Sequence, residues 1–348
     1  MTARERARTP GPVIHNLTDG VLDAHTHLSG SESGESAANI LDCMDACGVG
    51  KAFIFAPELN FQTRMLTDEN LDDIRTHNDY CADLCSSAPD RLLGFCSLNP
   101  APELASGDLG RAVDLMIEEV NRCYHELGLR GVGEVVPAHW YPNDSQVVSL
   151  WEALAELGMY VVFHCGIFFD GRESSYCRPT FYEAVHQAPN FKGHLAHVGW
   201  PWVDECIAVL KIGSRFLGID PSRWGLKVDL SFGPPGDWQL ETWQRVLNNL
   251  PPDMPLYASD VFWPCEPEEY REKYLQPQLG LFETSTTLEH IVEEGDLRRE
   301  RLRNMIFFEN AYSHWQAAVR EPQNPRAAPQ PVHTPRARRE HTLVPAGG

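Results

Sequence analysis

Six residues scattered along the chain carry side chains that bind cations or move protons, and each lies in or just after a short apolar run. His25 and His27 close the run that begins Val21-Leu22-Asp23-Ala24. Alternate side chains of an extended strand share a face, so two imidazoles spaced this way can close on one cation. Glu134 lies within the stretch Leu129 to Val136, and His164 follows Tyr160-Val161-Val162-Phe163. His197 ends a run from Phe191, and Asp260 ends one from Pro255. Brought together, these imidazoles and carboxylates would be costly to desolvate without a cation. A divalent metal offsets that cost. The donor set suits zinc, manganese, iron or nickel, and the lack of thiolates disfavours a soft metal. Zinc is the first expectation, as one ion or two.

Each residue also has a plainer role open to it. Glu134 can pair with Arg130, and His164 can be a core histidine bonded to a backbone carbonyl. Asp260 can cap the helix that follows it. His194 and His197 compete for one strand. His197 stands nearer the C-terminal end and is the expected ligand, leaving His194 a structural role. What favours a site is that all six residues fall near strand ends.

The elements that must position them alternate. Strands are expected over 21–27, 51–56, 92–98, 129–136, 159–163, 191–197, 226–232 and 255–258. Helical spacing or helix-ending residues separate them, with glycine stops at Gly48, Gly128 and Gly158. The strands are short and apolar throughout, as parallel strands buried on both faces are. About eight such units make a (β/α)8 TIM barrel, here with extra C-terminal helices after Asp260. In a barrel the strand C-termini converge on one mouth, where active sites form. A doubly wound open sheet is the rival, but no glycine-rich phosphate loop follows the first strand.

The chain has 348 residues and a formal charge of −20. That acidity argues against nucleic acid and anionic membranes as partners. No apolar stretch is long enough to span a membrane and no secretory signal is evident, so a cytoplasmic enzyme is expected. The ten cysteines include no C-x-x-C pair and read as reduced, mostly buried thiols. Residues 1–17 and 321–348 read as disordered tails around a single barrel over 18–320. A small-molecule substrate is the expected partner, and a homodimer is compatible with the sequence.

The residues also carry a resemblance. Asp23-Ala-His-Thr-His27, Phe163-His-Cys-Gly166, Leu195-Ala-His-Val-Gly199 and Ala258-Ser-Asp260 resemble the first-, fifth-, sixth- and eighth-strand motifs of the amidohydrolase superfamily. Within it, the chain looks like the amidohydrolase-related group that includes metal-dependent decarboxylases; Pro89-Asp-Arg91, Asn99-Pro100 and Asn310-Ala311 add to the likeness. The resemblance spans roughly residues 20–318. It implies that His25, His27, His164 and Asp260 hold a metal, and that His197 binds a second metal or activates water. Glu134 departs from the decarboxylase-like members. Gly131-Val-Gly-Glu134 instead resembles the fourth strand of TatD-like hydrolases, where a glutamate bridges two metals.

The first expectation is therefore a metal-dependent hydrolase of a C–N or C–O bond, with Asp260 and His197 handling protons. A non-oxidative decarboxylase of an aromatic or unsaturated acid is the alternative. A barrel that has lost catalysis and acts as a binding protein is the third. Arg64 and Arg172 are expected to meet a substrate carboxylate, and Trp140, Phe168, Trp200 and Trp263 to wall the pocket.

Overall fold

All the strands of the sheet run parallel and lie in the chain order a barrel requires. They are β1 (Val21–Leu28), β2 (Val49–Phe55), β3 (Leu92–Cys96), β4 (Gly131–Val135), β5 (Tyr160–Phe163), β6 (Lys192–Leu195), β7 (Leu226–Asp229), β8 (Pro255–Leu256) and β9 (Val261–Trp263). The computed structural model describes residues 20–57, 70–168, 173–215, 225–285 and 299–320. The two tails expected from the sequence, and Arg64 and Arg172, lie outside these residues.

β8 pairs with β7, and β9 pairs with β1. Between them the Ala24 N–H donates to Tyr257 O at 3.2 Å and the Asp260 N–H to His25 O at 2.9 Å. Residues 255–263 thus form one interrupted strand that closes the ring. The eighth strand, expected over 255–258, is broken in the middle because Asp260 takes a left-handed backbone, φ 61°.

Local chemistry explains the helices around it. α1 (Ala37–Cys47) starts at Ser36, whose hydroxyl accepts the Asn39 N–H while the Asn39 side chain returns to the Ser36 N–H. It stops at Gly48, φ 74°. α2 (Leu71–Ser86) is capped by Asn70. α3 (Leu109–Arg122), α4 (Val148–Leu157), α5 (Val203–Arg215) and α6 (Gly236–Asn249) follow. Pro179–Gln187, between β5 and β6, is a 3₁₀ segment, the tighter turn that short connectors use. No helix among the described residues is long and apolar enough to cross a membrane. The ten cysteines form no disulfide, and all but Cys265 are buried.

Three irregularities decide what the barrel interior holds. Leu22 and Ala24 pack inward with Phe53, Phe55, Leu93, Phe95, Tyr160 and Val162. Strict alternation would then aim His25 and His27 outward, at the helices. Instead three residues of β1 span two of β2, since Asp23 pairs with Ala52 and Thr26 with Ile54. This extra residue is a bulge, which reverses the facing of everything after it. The same occurs on β4, where Val132 pairs with Val161 and Val135 with Phe163, so the offset falls at Gly133-Glu134. At the end of β6 the reversal comes from left-handed backbone at His197 and Val198, φ 58° and 52°.

Candidate metal centre

These reversals bring the six residues named from the sequence to one end of the barrel. His25 and His27 point their Nε2 atoms at each other, 2.9 Å apart. Asp260 Oδ1 lies 3.4 Å from the first and 3.2 Å from the second. Glu134 Oε2 completes the group at 3.7 and 3.9 Å. Two bare imidazole lone pairs this close repel unless positive charge stands between them. A tetrahedral cation with arms of roughly 2.1 Å sets its ligands about 3.4 Å apart, the spacing found here. The other oxygen of Glu134, Oε1, lies 3.1 Å from His164 Nδ1 and 3.3 Å from His197 Nε2. One carboxylate therefore faces two donor groups, one with each oxygen.

Arg130 does not pair with Glu134. It turns its guanidinium to the carbonyls of Tyr124 and Leu129 at 3.0 and 3.1 Å. Among the described residues no lysine or arginine forms an ion pair with Glu134, Asp229 or Asp260. The demand for positive charge falls on the imidazoles. Burial works to lower His25, but the charges of Glu134, Asp260 and Asp229 outweigh it and raise the group to about 10. His197 is also raised, its burial outweighed chiefly by Glu134 and Asp260. Burial pushes Glu134 upward, yet the His164 and His25 charges hold it well below the usual carboxylate range. A divalent cation meets the same demand, and the donor set fits one.

Sequence reading missed Asp229. It ends β7 fully buried, with His25 Nδ1 at 2.9 Å and His194 Nε2 at 3.2 Å from Oδ2. Its other oxygen, Oδ1, accepts from the His197 N–H at 2.9 Å and from Ser231 Oγ at 2.6 Å. The signal was a carboxylate inside an apolar strand, the one that exposed Glu134. Asp23, in the first-strand motif, has a different task. It accepts from Ser259 N at 2.9 Å and Tyr270 Oη at 2.6 Å, which ties β1 to the turn that carries Asp260.

The aromatic expectations divide. Phe168 stacks on His164 with ring centroids 4.0 Å apart, and Phe262 stacks on His27 at 4.5 Å. Trp200 is half-buried beside the exposed Trp238, at 5.4 Å. Trp140 and Trp263 are core residues instead, each 1% exposed. Their indole N–H groups are taken up by Asn99 Oδ1 at 3.1 Å and Thr26 Oγ1 at 3.0 Å, so neither ring offers a face to a ligand. Gly166, φ 142°, lets the turn after His164 close on Trp200, whose carbonyl would stand 2.7 Å from an added Cβ.

A family model described as Amidohydrolase matches residues 22–313. The chain belongs to the amidohydrolase family. No curated protein sequence matches it. Similar solved structures include 5-carboxyvanillate decarboxylase from Sphingomonas paucimobilis, 14% identical over 86% of this chain and 99% of that one, with a TM-score of 0.56. Another is dihydroxybenzoic acid decarboxylase from Polaromonas with bound manganese and the inhibitor 2-nitroresorcinol, 15% identical over 86% and 97%, TM-score 0.53. A third is a probable 2-pyrone-4,6-dicarboxylic acid hydrolase from Acinetobacter baumannii with citric acid bound, 11% identical over 85% and 99%, TM-score 0.52. At these identities the likeness establishes the TIM-barrel fold. Family and donor geometry together support a divalent metal; zinc has no specific support, and the Polaromonas protein holds manganese.

Proposed function

We propose that this amidohydrolase-family chain is a divalent-metal enzyme for a small organic acid, with non-oxidative decarboxylation as its first-ranked reaction. Convergence of the six residues at one mouth carries the enzyme reading. The ranking of the reaction draws on the solved relatives, which are mainly decarboxylases of aromatic acids. It reverses the order in which the sequence alone ranked the two chemistries.

In this reading His25, His27, Asp260, Glu134 and His164 hold the metal. The bound ion supplies charge that polarises a substrate oxygen. Phe168 and Phe262, both half-buried, flank the cluster and offer faces to a flat substrate. Asp260 is 25% exposed, more open than the four histidines and Glu134, and is placed to pass a proton to the substrate carbon. His197, fixed by Ser231 and Glu134, supports that transfer. The incoming proton takes the place of the departing carbon dioxide, so the step needs no oxidant.

Hydrolysis of a C–N or C–O bond is the second reading, and one observation favours it. The two oxygens of Glu134 face separate donor groups, the arrangement that suits two ions and a water between them. One experiment separates the readings. The metal-loaded protein is offered hydroxybenzoic acids, lactones and cyclic amides, once in heavy water and once in water labelled with oxygen-18. Decarboxylation places deuterium on the ring or vinyl carbon of the organic product and no oxygen-18 in that product; hydrolysis places oxygen-18 in the organic product. Metal-loaded protein that turns over none of these classes while binding them would favour the binding-protein reading.

A further inference from the structure

We propose that Asp229 is a positioning residue that fixes the proton positions of two histidines of the candidate centre, His25 directly and His197 through Ser231. The proposal rests on the metal-site reading above. It follows from counting hydrogen atoms around one buried carboxylate. Four hydrogen bonds reach Asp229, from His25 Nδ1 at 2.9 Å, the His197 N–H at 2.9 Å, the Ser231 N–H at 3.0 Å and Ser231 Oγ at 2.6 Å; His194 Nε2 stands 3.2 Å away without hydrogen-bond geometry. A carboxylate only accepts, so each of the four groups must donate. His25 therefore carries a hydrogen on Nδ1, which leaves Nε2 to face His27 and Asp260.

The second branch follows from the same count. Ser231 has one hydroxyl hydrogen, and it goes to Asp229. The Ser231 oxygen must then accept from His197 Nδ1, 2.8 Å away. That puts a hydrogen on His197 Nδ1 and makes Nε2, 3.3 Å from Glu134 Oε1, the nitrogen left for a cation. His194 packs against the same carboxylate: its Nε2 lies 3.2 Å from Asp229 Oδ2 and its Nδ1 3.1 Å from Tyr160 Oη. His25, His194 and Asp229 lie close enough to hold an ion, but the hydrogen on His25 Nδ1 points into that group. Asp229 orients ligands and does not bind metal itself. Partners of this kind set the tautomer and basicity of ligating histidines.

The test uses the full-length protein labelled with nitrogen-15 at histidine, zinc(II) as the probe, and long-range proton–nitrogen correlation spectra. Wild-type His25 and His197 should show protonated Nδ1, with zinc on Nε2. Asp229→Asn places an amide donor among donors and should weaken zinc binding by roughly 10–100-fold. Ser231→Ala should disturb the His197 signals and leave those of His25 in place. His194→Gln should keep the zinc stoichiometry. Zinc on His25 Nδ1, wild-type affinity in Asp229→Asn, or loss of an ion in His194→Gln would overturn the proposal. Should Asp229→Asn fail to fold, Ser231→Ala decides alone: unchanged His197 signals would sink the His197 branch. Should the wild type take up no zinc, the metal-site reading falls, while the protonation of His25 Nδ1 and His197 Nδ1 in the metal-free protein still decides the hydrogen count.

Discussion

The two ends of the barrel interior are built from the same strands and to opposite rules. Toward the strand N-termini, Leu22, Phe53, Leu93, Phe95 and Tyr160 form an apolar layer covered by Phe308, Ala311 and Trp315 of the last helical segment. Phe95 lies 4.8 Å from Phe53 and 5.2 Å from Phe55, centroid to centroid, and packs on the face of Gly131. Toward the C-termini the same strands present four histidines, Glu134 and Asp260, with Phe55 as the floor beneath His25 and His27. Burial stabilises the lower layer. The upper layer crowds carboxylates and imidazoles together, and it holds only because positive charge sits among them. Stability and chemistry are therefore separable by substitution, since the bulges on β1 and β4 mark the border.

The largest effect is expected at the upper layer. His27→Ala should lower turnover by roughly 10³-fold or more, the scale on which loss of a catalytic group acts. Its circular dichroism and elution volume should stay those of wild type; full turnover with metal bound would erase the division. Phe95→Ala should do the reverse. It empties a fully buried site and should cost about 3–5 kcal/mol in denaturant unfolding, while the folded protein keeps its metal content. A metal loss in this variant would show that the layers are coupled.

Gly131→Ala probes the lower layer more gently. The added Cβ would meet Phe95 ring atoms at 2.2 to 2.6 Å, so the ring must move, at about 1–3 kcal/mol. The smallest effect lies outside both layers. Burial lowers His186 from its ordinary 6.5 to about 4. Between those values the unfolded chain binds a proton that the folded chain does not, so this part of the stability is lost as pH falls through the window. His186→Gln should flatten the stability curve from pH 6.5 to 4 relative to wild type. An unchanged slope would mean that His186 titrates normally in the fold.

The apolar runs and helix stops made the barrel legible, because burial on both faces leaves a strand nothing but apolar residues. The spacing of His25 and His27 was legible for the same reason. The bulges were not: a register offset arises from pairing with a neighbour, and neither Asp23-Ala24 nor Gly133-Glu134 announces it in sequence. Asp229 escaped because its partners, His25 and His194, are distant in the chain. Trp140 and Trp263 follow strand ends as wall residues do, but Asn99 and Thr26 draw their N–H groups into the core.

The central claim is that the upper layer is a divalent-metal site spanned by Glu134. Metal analysis with anomalous diffraction, on wild type and on Glu134→Gln, tests it most directly. The amide keeps the shape but loses the charge that offsets a second cation. The account predicts an ion among His25, His27 and Asp260; a second near His164 and His197 in excess metal, lost in Glu134→Gln, would favour the hydrolytic reading. One tightly held ion in both proteins, with no second site in excess metal, would remove the bridging role and the hydrolytic reading with it. An ion bound by Asp229 and His194, or none at all, would contradict the account.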